Sequence, residues 1–272
     1  MQFASIPADL TRFIAGIVER RETQAGRAVI ELPLARLELV FNFGDPFEMA
    51  LAGAPSPTPA AMTLGPRVGA FEAREGARVH FFVVQLTAAG VRALTGSPPR
   101  VFMGRALCLA DVLDDGPALS DALAGAGGFA ARAAIVFERM RRAAAAPGRE
   151  DAAVLRIADA ITEGSLRGPV DAIAARAGLG VRALRSRFQA EIGLSPKTLL
   201  RLSRFERMLH SIHAGLGASW LRFDREDAAL EYYDQAHLIR DFREFAGITP
   251  GAYTRVKQAG SRAIYTVPAA AL

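Results

Sequence analysis

The spacing of hydrophobic positions changes near residue 146 and divides the chain into two halves. Before that point, short apolar runs alternate with polar, Gly and Pro positions, a pattern typical of β-strands joined by turns. After it, apolar residues recur every three or four positions, which indicates amphipathic helices. Pro147-Gly148 stands at the change, and this dipeptide strongly disfavours a continuous helix. The pattern therefore predicts two domains of different class.

The first half predicts a small barrel or sandwich with helices packed on it. An amphipathic helix is expected over 8–18, where apolar residues stand three and four positions apart. Short apolar runs separated by turn residues follow it, and two further segments have helical spacing. Strands are predicted at 28–32, 37–43, 61–64, 68–72, 78–86 and 101–107, and helices at 88–94 and within 117–142. This set of elements favours a β-barrel-like domain.

The second half contains two copies of one helical pattern, 54 positions apart. Leu184 and Leu238 occupy equivalent positions, and a Phe follows each of them four residues later. Each copy closes with a Gly-hydrophobic-Ser/Thr-Pro tetrad, at 193–196 and at 247–250. A register kept across several residue types predicts two helix-turn-helix units. In such a unit the second helix enters the major groove of DNA.

The first copy has the parts that a helix-turn-helix requires. Helices are predicted at 170–177 and 181–190, with Gly178-Leu179-Gly180 as the turn between them. Ordinary helical hairpins also expose arginines, but they lack a second copy. The outer face of the second helix presents candidate DNA contacts: Arg182, Arg185, Ser186 and Gln189. Arginine pairs with guanine and glutamine with adenine, and Arg187, off that face, is expected at phosphate.

Basic charge is concentrated around this first copy. The whole chain has 33 basic and 28 acidic residues, for a net charge of +5. Within 176–209 there are 8 basic and 2 acidic residues, and such a patch favours contact with phosphates. Within 220–247 there are 4 arginines and 7 acidic residues. We therefore expect the first copy to supply most of the affinity for DNA.

Residues 170–255 resemble the DNA-binding domain of AraC-family transcriptional regulators. The resemblance lies in the tetrad at 193–196, the linker helix around 199–209, and the segments 232–242 and 245–253. It implies a seven-helix domain whose two reading helices enter successive major-groove segments. By position, it implies that Arg182, Arg185 and Ser186 face bases in the first unit. In the second unit the implied DNA contacts are Gln235, Ala236, His237 and Arg240, with Arg243 a further candidate.

The second copy departs from the family pattern at its turn. The family usually has Ala-x-x-x-Gly before the aromatic residue that precedes Asp-Gln. Aligned without a gap, Glu231 takes the place of this Gly and Asp227 that of the Ala. If Ala228 is the crossing residue instead, the Gly is missing. Both alignments require a rebuilt turn, because a Glu is a poor residue for a left-handed conformation.

The first half more weakly resembles the sensor-like domains that precede such DNA-binding units. The segments 32–33, 37–45 and 65–67 carry this resemblance, which implies effector binding or dimerisation. Nothing in the sequence identifies a ligand. Arg67, Arg74, Arg78 and His80 are candidates for an anionic pocket, although ordinary placement at the surface is favoured for such residues.

Other chemistry finds little support. Cys108 is the only cysteine, which excludes an internal disulfide and fits a buried small residue in a reducing compartment. His210 and His213 can share a helix face, but no further Cys or His completes a zinc site. No nucleophile elbow or phosphate loop is present. We expect no catalytic site, metal or cofactor. Without a signal peptide or a run of about 20 apolar residues, a cytoplasmic location is predicted.

The sequence is best interpreted as an α+β transcription regulator. Residues 1–146 form a sensor or dimerisation domain, 147–260 a helical DNA-binding domain, and 261–272 a C-terminal tail. The predicted partner is double-stranded DNA, with a small-molecule effector, a protein partner and a homodimer left open. The alternative is a small-molecule-binding or protein-interaction module whose DNA-binding half has decayed.

Overall fold

Strands make up the first half of the chain and helices the second, which confirms the α+β division. The computed structural model describes residues 1–23, 27–51, 55–145, 152–213, 232, 234–253 and 264–265. Within these ranges no helix is long and apolar enough to cross a membrane.

Two β-sheets face each other, built from strands of the first half and one short strand near the C-terminus. The strands are β1 (Gln2–Phe3), β2 (Ile14–Thr23), β3 (Arg27–Glu31), β4 (Leu37–Asn42), β5 (Glu48–Met49), β6 (Ser56–Pro57), β7 (Ala61–Leu64), β8 (Phe71–Glu75), β9 (Arg78–Leu86), β10 (Ala106–Cys108) and β11 (Ile264–Tyr265). One sheet has the order β1-β2-β9-β4-β7-β10 and the other β11-β3-β8-β5-β6. The strand pairs are antiparallel except for β11 beside β3. The expected barrel-like domain is thus a pair of facing sheets.

The six-stranded sheet is covered on both faces. Successive side chains of a strand point to opposite faces, and β4 shows the result. Its Leu39 and Phe41 pack against a helical layer, whereas Val40 points towards the second sheet. The helical layer consists of α1 (Ala88–Thr95), α2 (Gly116–Gly125) and α3 (Phe129–Ala144). These helices agree with the sequence pattern, because their apolar residues recur at helical spacing.

The helix predicted over 8–18 is wrong, since β2 begins at Ile14. Ile14 and Ile17 are both buried in the core beneath the helical layer. The pairing register between β2 and β9 shifts between Ile14 and Gly16. Such an irregularity turns one residue out of the alternation, so two side chains three positions apart share a face. A bulged strand therefore reproduces the spacing of a helix.

Two other strands differ from the prediction. β8 begins at Phe71 instead of residue 68, because the Ala70 N–H donates to the Phe245 carbonyl in the helical half at 3.1 Å. The segment predicted as a strand over 101–107 forms a 3₁₀ helix, Pro99–Phe102, and then the short β10. Proline favours this helix start because its φ angle is fixed. Cys108, on β10, is half-buried instead of fully buried.

The helical half contains two small cores joined by one long helix. Its helices are α4 (Ala152–Thr162), α5 (Val170–Arg176), α6 (Val181–Glu191), α7 (Pro196–His213) and α8 (Gln235–Ala246). Leu199 of α7 packs in the core that α4, α5 and α6 share. Phe205, further along α7, packs in the core with α8. The length of α7 thus connects the two repeated units.

The two tetrads have the same structural role. Gly193 and Gly247 end α6 and α8 in the left-handed conformation, with φ angles of +82° and +72°. Ser195 and Thr249 then cap the next helical turn. The side-chain oxygen of each accepts a backbone N–H from three residues further on, at 3.1 Å. Each tetrad of the sequence repeat therefore ends one helix and begins the next helical turn.

Carboxylates of the helical half bind the main chain of the first half. Asp159 on α4 accepts hydrogen bonds from the N–H groups of Ala88 and Ala89, at 2.7 and 3.3 Å. Glu206 on α7 accepts one from the N–H of Ala35 at 2.7 Å. Both carboxylates are held at the junction by groups that cannot be lost through side-chain substitution.

We expect Gly193→Ala to lower the free energy of unfolding more than Gly247→Ala. Both substitutions place a Cβ in a left-handed conformation, at a cost of about 1–2 kcal/mol. At Gly193 the Cβ would also lie 2.7 Å from Met103 Cγ and 2.9 Å from Arg100 Cβ, whereas at Gly247 no atom lies within 4 Å. Urea unfolding followed by circular dichroism measures both variants. Equal losses would contradict the close approach at Gly193.

We expect Asp159 to make the protein less stable as the pH rises from about 4 to about 7. Burial raises its pKa from 3.8 to about 7, although its two backbone hydrogen bonds act in the opposite direction. The folded protein therefore binds this proton more tightly than the unfolded chain, and the stabilisation is lost as the pH rises through the folded pKa. The free energy of unfolding of the wild type, measured in urea, should fall across this pH range relative to that of Asp159→Asn. A constant difference between the two proteins would refute the expectation.

Candidate nucleic-acid interface

The exposed face of α6 carries the side chains predicted to contact DNA. Leu184 and Phe188 are fully buried and fix the rotation of the helix about its axis. The opposite side is therefore turned to solvent. The exposed residues are Arg182, Arg185, Ser186, Arg187 and Gln189. The structure thus brings all five candidates of the first unit together, and their contact with DNA stays a prediction.

A tight turn sets α6 against α5. The N–H of Gly178, whose φ angle is +65°, donates to the Ala175 carbonyl at 3.0 Å. The N–H of Leu179 donates to the Ala174 carbonyl at 2.9 Å, and Gly180 is the N-cap of α6. Gly178 is in the left-handed region, where glycine has no steric penalty. The predicted turn residues thus place the second helix of the unit.

α8 presents the second set of candidates. Asp234 caps its first turn by accepting the His237 N–H at 2.7 Å, and Leu238 and Phe242 are buried beneath it. His237 is only partly exposed, because its ring packs edge-on against Tyr232 at a centroid distance of 5.3 Å. The exposed candidates on this helix are Gln235, Ala236, Arg240 and Arg243.

Acidic residues of α8 are bound to α7. Arg201 lies 2.7 Å from Asp241 and 2.5 Å from Glu244. These hydrogen bonds, the one to Glu244 foremost, raise the pKa of Arg201 despite its partial burial. Arg201 therefore compensates part of the acidic charge of α8 within the protein. Arg240 and Arg243 remain on its exposed surface.

The altered turn of the second unit lies outside the described residues. This applies to Asp227, Ala228 and Glu231. The side chain of His213, proposed to share a helix face with His210, is also outside them. The weaker role expected for the second unit stays a prediction.

The first half adds one cation beside α6. Arg100 and Met103 line an open recess together with Ser186, Gln189 and Gly193. Arg100 is exposed, and a guanidinium at the margin of a reading helix can contact phosphate. Sequence reasoning missed Arg100, because it belongs to the other half and only the folded chain brings it to α6.

The four candidates for an anionic pocket in the first half do not come together. Arg67 is buried 3.4 Å from Glu38, and Arg78 binds Asp45 at 2.9 Å. His80 Nε2 lies 2.8 Å from a Glu19 oxygen, and Arg74 is exposed to solvent. These side chains do not form a pocket. Arg74 and Arg78 are exposed, as the favoured surface placement expects, whereas Arg67 is buried.

The space between the two sheets is a cavity of about 80 Å³. Its walls are mainly apolar and come from both sheets. Five polar or charged residues also line it: Arg20, Glu31, Glu38, Glu75 and Gln85. Sequence reasoning missed them, because polar residues at alternate strand positions normally indicate a solvent-exposed face. Here these faces are turned towards each other, so each sheet covers the polar residues of the other.

Comparison with known proteins identifies relatives of the repeat and of the fold. Residues 173–255 match a family model described as a helix-turn-helix domain. The crystal structure of ToxT from Vibrio cholerae O395 is similar, with a TM-score of 0.50 and 9% identity over 88% of this chain and 96% of that one. No curated protein is a significant sequence match.

Two further ToxT structures from Vibrio cholerae are similar at the same level. A 1.65 Å structure has a TM-score of 0.49 and 10% identity, over 88% of this chain and 97% of that one. A structure of ToxT with a bound unsaturated fatty acid has a TM-score of 0.49 and 8% identity, over 88% and 94%. At these identities the likeness concerns the fold alone.

The matched region includes both copies of the repeat. It contains α6 and α8, each ended by a left-handed glycine and each bearing exposed arginines. These features agree with the resemblance seen in the sequence. Residues 173–255 of this protein are an AraC-type helix-turn-helix domain.

Proposed function

We propose that this protein is a transcription regulator that binds promoter DNA mainly through α6 and is controlled from its N-terminal domain. The AraC-type helix-turn-helix domain supports this role. Residues 1–146 would form the controlling domain and 147–260 the DNA-binding domain, and the segment 261–272, expected to be a tail, contributes strand β11 to the sheet that contains β3. The single observation that supports control from the N-terminal domain is that the side chains of one strand, β3, pack in two different cores.

The α6 surface has the chemistry needed to read DNA. Arg182 and Arg185 present planar guanidinium groups that can bond guanine through two N–H groups, and Gln189 can bond adenine. Arg187 and the exposed Lys197, at the start of α7, carry positive charge for phosphate. This combination supports base reading and phosphate binding by one helix and its immediate surroundings.

β3 connects the cavity to the DNA-binding domain. Val29 and Glu31 face the cavity between the sheets. Ile30 points the other way and, with Leu32 just beyond the strand, packs in the core that contains Phe205 of α7. A ligand that displaces β3 therefore acts on the packing beneath α8. No long pathway between the two sites is required.

β8 makes a second connection between the cavity and α8. Phe71 and Ala73 line the cavity. Ala70, immediately before the strand, donates its N–H to the carbonyl of Phe245 on α8. Two neighbouring strands thus link the same wall of the cavity to the second unit. This favours control that acts first on α8 and, through α7, on α6.

We expect Arg185→Ala to weaken binding to DNA from the protein's own promoter region more than Arg240→Ala does. Loss of a two-bond contact to a base costs about 1–3 kcal/mol, roughly a 5- to 150-fold loss of affinity. Gel shifts over a series of salt concentrations measure both variants. Equal losses would contradict a dominant first unit.

The control for this experiment is Arg74→Ala, which removes an exposed cation from β8 in the first half. Its affinity for the promoter fragment should match that of the wild type. Absence of binding by the wild type at low salt would favour the alternative of a decayed DNA-binding half. Binding that weakens as salt rises supports a regulator, because phosphate contacts release counterions.

We expect Ala73→Leu to change promoter affinity without any ligand. Ala73 is buried in the cavity wall, so the larger side chain occupies part of the space that a ligand would fill and presses on β8. Ala77→Leu, at an exposed position after the same strand, is the matched control. Gel shifts should separate the two variants by several-fold. Identical affinities would mean that the cavity does not control DNA binding.

A further inference from the structure

We propose that the cavity between the sheets binds a small ligand with an apolar body and a hydrogen-bond-donating head, an amine in particular, and discriminates against carboxylates. This inference rests on the proposed control by a ligand and adds the chemical class of that ligand. It is carried by the polar groups that line the cavity and by the partners that each of them has.

Gln85 offers an unpartnered acceptor in the cavity wall. Its side chain is only 2% exposed, and its Nε2 donates to Glu38 at 3.2 Å. Its Oε1 is buried and has no hydrogen-bond partner among the described residues. A buried carbonyl oxygen without a partner carries a desolvation cost that a donor would remove. A ligand N–H or O–H is such a donor.

Glu31 places a second acceptor in the same wall. Within the described part of the chain, its carboxyl group has no hydrogen-bond partner. Burial raises the pKa of Glu31 to about 8, opposed by Arg67 and reinforced by Glu38 and Glu75. A cation beside this carboxyl group would stabilise its ionised form. Glu31 is therefore suited to an ammonium group.

The positive charge of Arg20, in the cavity wall, is already compensated. Arg20 binds Glu75 through two hydrogen bonds, at 2.6 and 3.1 Å, and Glu22 at 3.0 Å. Both carboxylates hold the guanidinium in place. A ligand carboxylate would have to compete with them and would also lie near the carboxylate of Glu38, whose charge repels it.

Arg67 is the group that could favour an anion instead. Its Nε and Nη2 are buried without a partner among the described residues. However, Arg67 does not line the cavity. Its guanidinium lies over the ring of Phe71, 5.2 Å from the centroid, and 3.4 Å from Glu38. The experiment must therefore include a carboxylate probe.

The rest of the cavity suits a short apolar body. Phe47 and Phe81 pack edge-on with ring centroids 5.0 Å apart. Phe71, on β8, also lines the cavity. Aromatic faces also attract ammonium groups. The volume of about 80 Å³ favours a short, linear chain of a few carbons. Five-carbon chains are suitable probes.

The test is calorimetric titration of the full-length protein with pentylamine, 1-pentanol and pentanoate at pH 7.5 and fixed ionic strength. We expect pentylamine to bind at least about tenfold more tightly than pentanoate. Glu31→Gln should remove most of this preference, and Gln85→Met should weaken both pentylamine and pentanol. Glu72→Gln, which alters an exposed carboxylate on β8, should bind as the wild type does. Because Glu31→Gln and Gln85→Met are tested separately, a folding defect in one of them does not prevent a conclusion.

Three outcomes would overturn the inference. Pentanoate could bind as tightly as pentylamine, which would assign the head group to Arg67. None of the probes could bind, or pentylamine could bind equally well to Glu31→Gln. The proposed function is judged separately, because the promoter affinities of the wild type and Ala73→Leu are measured without any ligand.

Discussion

Adjacent side chains of a β-strand must point in opposite directions, and β3 uses both directions to fill a core. Val29 and Glu31 line the cavity, while Ile30 packs against the helical half. The two surfaces are separated only by the thickness of one strand. The relation between the sensor-like domain and the DNA-binding domain therefore depends on this geometry. A strand exposed on one face could not connect them in this way.

The helical half was largely predictable because its signals are local. Leu184 and Phe188 fix the buried face of α6, and Gly178 and Gly193 set its ends within a few residues. Such signals act through i, i+4 spacing and through backbone conformation. The exposed face that carries Arg185 follows from them. Its contact with DNA does not follow from the fold alone and remains a prediction.

The first half was less predictable because its decisive contacts are distant in sequence. Ile14 and Ile17 share a face only because β9 pairs with a bulged β2. Glu31 faces the cavity only because the six-stranded sheet lies opposite β3. The same holds for Asp159, which looks like an ordinary helix residue until Ala88 is brought to it. No local pattern encodes such long-range pairings.

A charge count along the sequence does not show which acidic residues are paired within the protein. Asp241 and Glu244 both bind Arg201 of α7, so part of the acidic charge of the second unit connects α8 to α7. Arg240 and Arg243 lie on the exposed surface of α8 together with Glu244. The weaker role expected for the second unit remains a prediction.

The hydrogen bond from the Ala70 N–H to the Phe245 carbonyl joins two main chains. Neither group depends on the identity of its side chain, and only proline at position 70 would remove the donor. Sequence drift at these two positions can therefore leave this part of the junction intact. This one connection between the two halves is therefore maintained by the backbone, whichever other residue types stand at its two ends.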